Sequence, residues 1–171
     1  MSKSPKEFVP LSVAIMTVSD SRDASQDSSG DYLAEAIREA GHQVAEQLIC
    51  PDNRYSIRAG VSRWIASEQV QVIIINGGTG FHPKNSTPEA IEPLLDRTIE
   101  GFGELFRMVS YEDIGAATLQ TRALAGLANQ TLIFALPGST SACRQAWERI
   151  ICSQIDATTR PCNFVSQLKK I

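Results

Sequence analysis

The sequence has few of the residues that build metal sites and disulfide frameworks. It contains two histidines and four cysteines among 171 residues, and no two cysteines have the C-x-x-C spacing of zinc sites and redox motifs. A structural zinc site is therefore not expected, and a chain of this length can bury a core without disulfides. We predict four reduced, buried thiols, at Cys50, Cys143, Cys152 and Cys162.

Excess charge and long apolar runs are also missing. The net charge of -3 produces no basic field that would attract nucleic acid or an anionic membrane. The longest apolar runs, such as 72–75, are too short to cross a bilayer, and residues 1–7 have no signal-peptide core. We therefore predict a cytoplasmic protein that binds an anionic ligand through local geometry.

Strand and helix patterns alternate along the whole chain, without repeats or a linker. This alternation is typical of an α/β domain with a mostly parallel, doubly wound sheet. We predict a single domain over residues 1–171, with terminal extensions at 1–10 and 160–171. The predicted strands are 13–18, 43–49, 70–75 and 131–136. Helical apolar spacing covers 33–40, 57–65, 87–95, 102–109 and 139–151, with Gly41 as a stop, Thr87 as an N-cap and Ser139 opening the last helix.

Each of the four predicted strands is followed at once by small or acidic polar residues, at 17–20, 50–53, 76–80 and 137–140. Because the carboxyl ends of parallel strands meet at one edge of a sheet, these four loops are expected to lie together. Open α/β sheets bind their ligands at that edge. A single such loop would mean little, whereas four on one edge indicate a ligand site.

The tetrapeptide Gly77-Gly78-Thr79-Gly80 is the clearest candidate for holding a phosphate. Glycine can adopt positive φ and lets backbone N–H groups approach an anion. The segment is neither a P-loop nor a G-x-G-x-x-G dinucleotide motif, and in isolation it is as typical of a tight turn. Pro137-Gly138-Ser139 supplies a second set of N–H donors at a helix start.

Asp20 and Asp52 are the acidic candidates at the same edge. An aspartate after a strand is often only a turn or cap residue. Two carboxylates beside a phosphate could instead hold Mg²⁺ together with the phosphate oxygens. We interpret His82 as a solvated loop residue and His42 as a residue near a helix end.

Read together, these loops resemble the molybdopterin-binding family of molybdenum-cofactor biosynthesis. The matching segments follow the family order: TVSDS at 17–21, DSSG at 27–30, GGTG at 77–80, TPEA at 87–90, GFGE at 101–104 and LPGS at 136–139. The stretch from 65 to the end, with RPCNF at 160–164, is most similar to the bacterial protein B branch of that family.

The resemblance implies a three-layer α/β fold with a pocket for molybdopterin, a pterin dithiolene that carries a terminal phosphate. Active relatives transfer an adenylyl group from Mg-ATP to that phosphate and release pyrophosphate. The resemblance also implies a trimer-based homohexamer, and other cofactor-biosynthesis proteins as partners. Apolar residues such as Phe102, Phe106 and Trp147 include candidates for a partner surface, with core packing as the alternative for each. The implied ligand-binding residues are Thr17, Ser19, Asp20, Gly77, Gly78, Thr79, Gly80, Thr87, Pro137, Gly138 and Ser139.

One position departs from the family pattern. Active relatives carry aspartate shortly after GGTG, often preceded by arginine, whereas this chain has Lys84-Asn85. Asp52 and Asn85 are therefore the catalytic candidates, and Asp20 and Asp52 the magnesium candidates. We favour molybdopterin binding with weak or absent adenylyl transfer. The alternatives are an active adenylyltransferase in which Asp52 and other groups compensate, and a scaffold protein with a vestigial pocket.

Overall fold

A computed structural model describes residues 7–23 and 25–170. Within them the sheet has six strands in the order β2-β1-β3-β6-β5-β4. The strands are β1 Ser12–Val18, β2 Gln43–Cys50, β3 Val72–Asn76, β4 Arg97–Thr98, β5 Leu124–Ala128 and β6 Thr131–Leu136. The helices are α1 Ser28–Glu39, α2 Arg54–Ala66, α3 Thr87–Ile91, α4 Glu100–Ile114 and α5 Thr140–Ala146, which continues through a π-helical turn at Trp147–Ile151 into α6 Cys152–Gln154. Short 3₁₀ turns occupy Glu92–Leu94, Gly115–Gln120 and Val165–Gln167.

The predicted fold class is confirmed. Strands β2, β1, β3 and β6 are parallel, and β3 is buried along its whole length, as expected for a β-branched run covered on both faces. One hydrophobic core lies between the sheet and helices α1, α4 and α5. A second core lies on the opposite face, under α2 and α3. The architecture is therefore a three-layer α/β sandwich.

The register of the central strands aligns their carboxyl-terminal ends. Thr17 pairs with Asn76, and Asn76 pairs with Leu136 on the other side. The loops that follow β1, β3 and β6 therefore begin at the same level of the sheet. This alignment is what assembles the candidate site.

The antiparallel edge of the sheet was not predicted. Strands β5 and β6 form a hairpin whose turn residues Asn129 and Gln130 both have positive φ, the conformation of a type I′ turn. Strand β4, of two residues, pairs with β5 at the edge. The sequence LAGLA of β5 is short and rich in alanine and glycine, which have low strand propensity, so its strand character depends on pairing with β6.

Two helix boundaries also differ from the prediction. Ser86, and not Thr87, is the N-cap residue of α3, because Thr87 already has helical geometry and its hydroxyl donates to the Gly77 carbonyl oxygen. Helix α3 stops at Ile91 and tightens into a 3₁₀ turn, where Pro93 removes a backbone donor. The stop at Gly41, with φ +85°, is as predicted.

The segment 160–170 packs against the domain at the edge of the sheet where the parallel strands begin. Leu168 is buried in the first core. The ammonium group of Lys169 donates to the carbonyl oxygens of Ile65 at 3.0 Å and Ser67 at 2.7 Å, so it neutralises the C-terminal end of α2. In the described part of the chain, no helix has the length and apolar character needed to span a membrane.

The four cysteines are free, and two of them are not buried as predicted. Cys50 and Cys143 lie in the core, and burial raises the pKa of the Cys143 thiol to about 12. Cys152 is half-buried and Cys162 is exposed. Cys162 belongs to an irregular segment that leaves the thiol in solvent.

His42, predicted as a residue near a helix end, lies just after the C-terminal end of α1 and is a buried hydrogen-bond acceptor. The residue is 5% exposed, and its Nδ1 accepts the backbone N–H of Leu11 at 3.1 Å. Burial lowers the pKa of the imidazole, and the charge of Asp156 opposes this shift only in part. Folding therefore favours the neutral form of His42 over the charged form.

Lowering the pH is expected to destabilise the protein through His42. Because the folded-state pKa is depressed, the unfolded chain takes up the proton first once the pH falls below 6.5. Stability is then lost at up to about 1.4 kcal/mol per pH unit. Urea unfolding at pH 7.5, 6.5 and 5.5 would measure this slope. His42→Asn keeps an acceptor for Leu11 and should flatten it, whereas His82→Asn, at an exposed position, should not.

Candidate functional site

The loops after β1, β3 and β6 line one open cleft of about 370 Å³. The cleft lies at the carboxyl ends of the parallel strands, where the four polar loops were predicted to meet. The lining residues are Val18, Ser19, Ser21, Arg22, Gly77, Gly78, Thr79, Gly80, Asn85, Gln120, Thr121, Pro137 and Gly138.

The glycine loop has a backbone that only glycine adopts without strain. Gly77 and Gly78 have φ values of +100° and +66°. A Cβ atom on Gly77 would lie 2.3 Å from the Val18 carbonyl oxygen, and one on Gly138 would lie 3.2 Å from the Gly77 Cα atom. The loops after β3 and β6 therefore touch backbone to backbone, an approach that a side chain at either glycine would block.

Thr17 and Thr87 do not line the cleft; they lie beneath it, where their hydrogen bonds support its loops. Both side chains are fully buried. The Thr87 hydroxyl donates to the Gly77 carbonyl oxygen at 2.8 Å, and its N–H donates to the Gly78 carbonyl oxygen at 3.1 Å. The Thr17 hydroxyl lies 2.8 Å from Asp27 Oδ2 and 2.9 Å from Asn76 Oδ1. In this structure both hydroxyls are engaged in internal hydrogen bonds that support the site, and their direct contact with a ligand stays a prediction.

Asp52 and Asn85, 33 residues apart in sequence, are in direct contact. The Asn85 amide donates to Asp52 Oδ2 at 3.0 Å. Asp52 Oδ1 accepts the N–H of Ser86 at 3.0 Å and its hydroxyl at 2.9 Å. Asp52 therefore caps the start of α3 from outside that helix. The carboxylate of Asp20 in turn accepts the N–H of Asp52 at 2.9 Å, which places both predicted acids at the same corner of the site.

These two carboxylates do not form a ready-made metal cage. The described residues include no group of three or more histidine, cysteine, aspartate or glutamate side chains placed to hold a metal ion. Mg²⁺ usually keeps several waters and is held by one or two carboxylates with phosphate oxygens. Asp20 and Asp52 fit that donor set only together with a bound phosphate.

Ser19 and Ser139 organise the loops at the two ends of the cleft. The Ser19 hydroxyl accepts the N–H groups of Ser21 at 3.3 Å and Arg22 at 3.1 Å. Ser139 caps α5 by accepting the N–H of Ala142 at 3.2 Å, so it opens the last helix as predicted. Ser139 itself lines a neighbouring cavity of about 180 Å³, which shares Pro137 with the cleft.

Arg122 was missed by the sequence prediction, although it fastens the loop after the glycines. Its guanidinium donates to the carbonyl oxygens of Gly80 at 2.7 Å and Asn85 at 3.2 Å. It also forms an ion pair with Glu89 and lies 5.3 Å from the ring centroid of Phe81. Arg122 and its neighbours precede β5, and because β5 was not predicted, nothing in the sequence pattern directed them to this edge.

The comparisons with known proteins agree with this geometry. A family model described as "Probable molybdopterin binding domain" matches residues 14–157, which include every loop of the cleft. The chain belongs to the molybdopterin-binding family of molybdenum-cofactor biosynthesis proteins. The resemblance inferred from the motifs is therefore confirmed.

Relatives within the molybdopterin-binding family match over nearly the whole chain. "Molybdenum cofactor biosynthesis protein B" from Escherichia coli strain K12 is 58% identical over 170 residues, which cover 99% of this chain and 100% of the relative. A crystal structure of a molybdenum cofactor biosynthesis protein B superposes with a TM-score of 0.83 at 40% identity, over 90% of this chain and 94% of that one. The tungsten cofactor synthesizing protein MoaB from Pyrococcus furiosus superposes with a TM-score of 0.75 at 32% identity, over 82% and 90%.

Proposed function

We propose that this protein binds molybdopterin with its terminal phosphate on the glycine loop. The observation that carries the proposal is the backbone of Gly77 and Gly78 in the cleft lining, whose positive φ values and close contact with Gly138 leave no room for side chains there. Backbone N–H groups in such a turn bind phosphate oxygens. The start of α5 adds a helix N-terminus, whose partial positive charge favours an anion.

Weak or absent adenylyl transfer is part of this proposal. Three hydrogen bonds from Asn85 and Ser86 already engage the Asp52 carboxylate. An amide at position 85 supplies no negative charge to hold Mg²⁺ on the nucleotide phosphates, so the charge that develops during transfer would be poorly neutralised. The proposed pterin phosphate site includes the glycine loop and the start of α5, and we expect it to change little with the residue at position 85.

The alternative is an active adenylyltransferase in which Asp52 and Asp20 hold Mg²⁺ with the nucleotide phosphates. The N–H of Asp52 is bonded to the Asp20 carboxylate, which supports a joint site for the two acids. A scaffold protein with a vestigial pocket is the third alternative. The retained glycine geometry argues against it, because a pocket without a ligand has no need for two residues at positive φ.

One experiment separates the three functions. Purified protein is mixed with molybdopterin, with and without Mg-ATP, and both pterin binding and pterin-linked AMP are measured. Binding without AMP transfer is the expected result. Rapid formation of pterin-linked AMP would establish the adenylyltransferase, and the absence of any pterin binding would contradict both the proposal and that alternative.

The free thiols, including the exposed Cys162, support a cytosolic setting.

We also propose that the protein is a homo-oligomer, most simply a hexamer built from trimers. Phe102, Phe106 and Trp147, for which we weighed partner contacts against core packing, are all buried in the core. A different set of large apolar side chains is exposed on α4 and the turn after it, and we call this set the α4 patch. It consists of Leu105, Met108, Tyr111, Ile114 and Leu119.

Introducing charge into the α4 patch is expected to break the oligomer. Met108 is 61% exposed, so Met108→Glu leaves the monomer core intact and opposes burial of the patch against a second copy. Sedimentation at micromolar concentration should show the parent as a species larger than a dimer and the variant as a smaller one. Tyr55→Glu, at an exposed aromatic outside the patch, is the control. A monomeric parent would contradict the proposal.

A further inference from the structure

Arg22 is the one charged side chain among the described residues that line the cleft. The sequence prediction did not include it, and none of the ion pairs among the described residues involves it. Arginine in a cleft without a carboxylate partner provides positive charge and planar N–H donors for an anion. We propose that Arg22 binds the phosphate of the ligand and that two internal hydrogen bonds hold its guanidinium in place for this contact.

The guanidinium is anchored at two points. Nη1 donates to the Ser29 hydroxyl at 2.8 Å, and Nη2 donates to the Gly138 carbonyl oxygen at 3.1 Å. Gly138 packs against Gly77, so the second anchor holds the cation beside the glycine loop. An arginine side chain has five N–H donors. These two hydrogen bonds use two of them, so three have no partner among the described residues and can bind a ligand.

The first anchor belongs to a buried polar network. The Ser29 hydroxyl also accepts the Asn76 amide at 2.7 Å. Asn76 Oδ1 contacts the Thr17 hydroxyl, which also contacts the carboxylate of Asp27. All four of these supporting side chains are buried, so the network cannot relax into solvent. It holds Ser29, and through Ser29 it restricts the rotamer of Arg22.

The network also explains a glycine of the DSSG segment. The Asp27 carboxylate caps α1 by accepting the Gly30 N–H at 3.0 Å. A Cβ atom at Gly30 would lie 2.1 Å from Asp27 Oδ2, so only glycine leaves room for the buried acid. The residue pattern at 27–30 therefore shapes the anchor of Arg22 and does not itself contact the cleft.

This inference rests on the proposed function for its ligand, which is the phosphate group of a pterin phosphate. A fixed guanidinium adds a charge-assisted contact to the backbone donors of the glycine loop. Ser29 and Asn76 are positioning residues, because they act through Arg22. The predicted consequence is selective: loss of Arg22 should weaken binding of the phosphorylated ligand and leave the rest of the pterin unaffected.

The test compares molybdopterin with the same pterin after removal of its phosphate, under anaerobic conditions, by calorimetry. Arg22→Gln should weaken binding of molybdopterin by about 10- to 100-fold and leave binding of the dephosphorylated pterin unchanged. Arg22→Lys should fall between parent and Arg22→Gln, since it keeps the charge but loses the planar fork. Arg38→Gln, which removes the same charge from the exposed end of α1, should match the parent.

A double-mutant comparison tests the positioning role of Ser29. Ser29→Ala should weaken molybdopterin binding in the parent but cause no further loss in the Arg22→Gln background, because its effect passes through Arg22. Equal losses in both backgrounds would overturn that role, and equal affinity of parent and Arg22→Gln for molybdopterin would overturn the phosphate contact. Failure of the parent to bind molybdopterin would instead contradict the proposed function.

Discussion

Replacing Asn85 with aspartate is expected to raise the single-turnover rate of adenylyl transfer by at least about tenfold, or roughly 1.4 kcal/mol in the barrier. A carboxylate at position 85 would lie next to the Asp52 carboxylate, since the Asn85 amide now lies 3.0 Å from Asp52 Oδ2. Two adjacent carboxylates create a site for Mg²⁺ on the nucleotide phosphates. Losing one electrostatic group of this kind costs on the order of 10²–10³ in rate, so restoring it has room for a large gain.

The dependence of the melting temperature on Mg²⁺ provides a second measurement of the carboxylate added at position 85. Without a cation the two carboxylates of the variant repel each other, which destabilises the folded state. Mg²⁺ should therefore raise the melting temperature of Asn85→Asp more than that of the parent. Affinity for molybdopterin should change little, because the glycine loop is untouched.

Asn85→Ala is the matched control for the rate measurement at saturating Mg-ATP. It releases Asp52 from the amide without adding charge, so its rate should stay near that of the parent. If Asn85→Ala were as fast as Asn85→Asp, relief of Asp52 and not the added carboxylate would be responsible. Equal rates in parent and Asn85→Asp, whether both fast or both absent, would show that position 85 does not limit the chemistry.

Replacing Gly78 with valine is expected to weaken molybdopterin binding by about 100-fold or more. A Cβ atom at this position would lie 2.3 Å from the Thr87 hydroxyl and 3.1 Å from the Asp52 carboxylate. The φ of +66° also disfavours a β-branched residue. The loop must move away from α3, so its N–H groups lose their alignment on the phosphate.

The corresponding control is Gly101→Val in the first turn of α4, where a Cβ atom would meet nothing within 4 Å. Circular dichroism should show both variants folded, and calorimetry with molybdopterin should separate them. A folded Gly78→Val protein with the affinity of the parent would show that the phosphate binds elsewhere.

Local sequence signals were sufficient for much of the fold. The buried parallel strands β1, β3 and β6 are continuous apolar or β-branched runs, so their position followed from hydrophobicity alone. The stop at Gly41 and the cap at Ser139 depend on residues next to each helix end, which is why they too were predictable. Strand β5 was not, because its alanines and glycine become a strand only through pairing with β6.

The candidate site, like the fold, was predictable from the sequence only in part. The sequence determined that the glycine loop, the two aspartates and the start of the last helix lie at one sheet edge, because parallel strands bring their carboxyl ends together. Only the tertiary structure decided which side chains face the cleft and which face inward. Thr17 and Thr87 turn into buried hydrogen bonds, and Arg22 reaches Gly138 across 116 residues. Such partners are chosen by packing and hydrogen-bond satisfaction between distant segments, which no local pattern records.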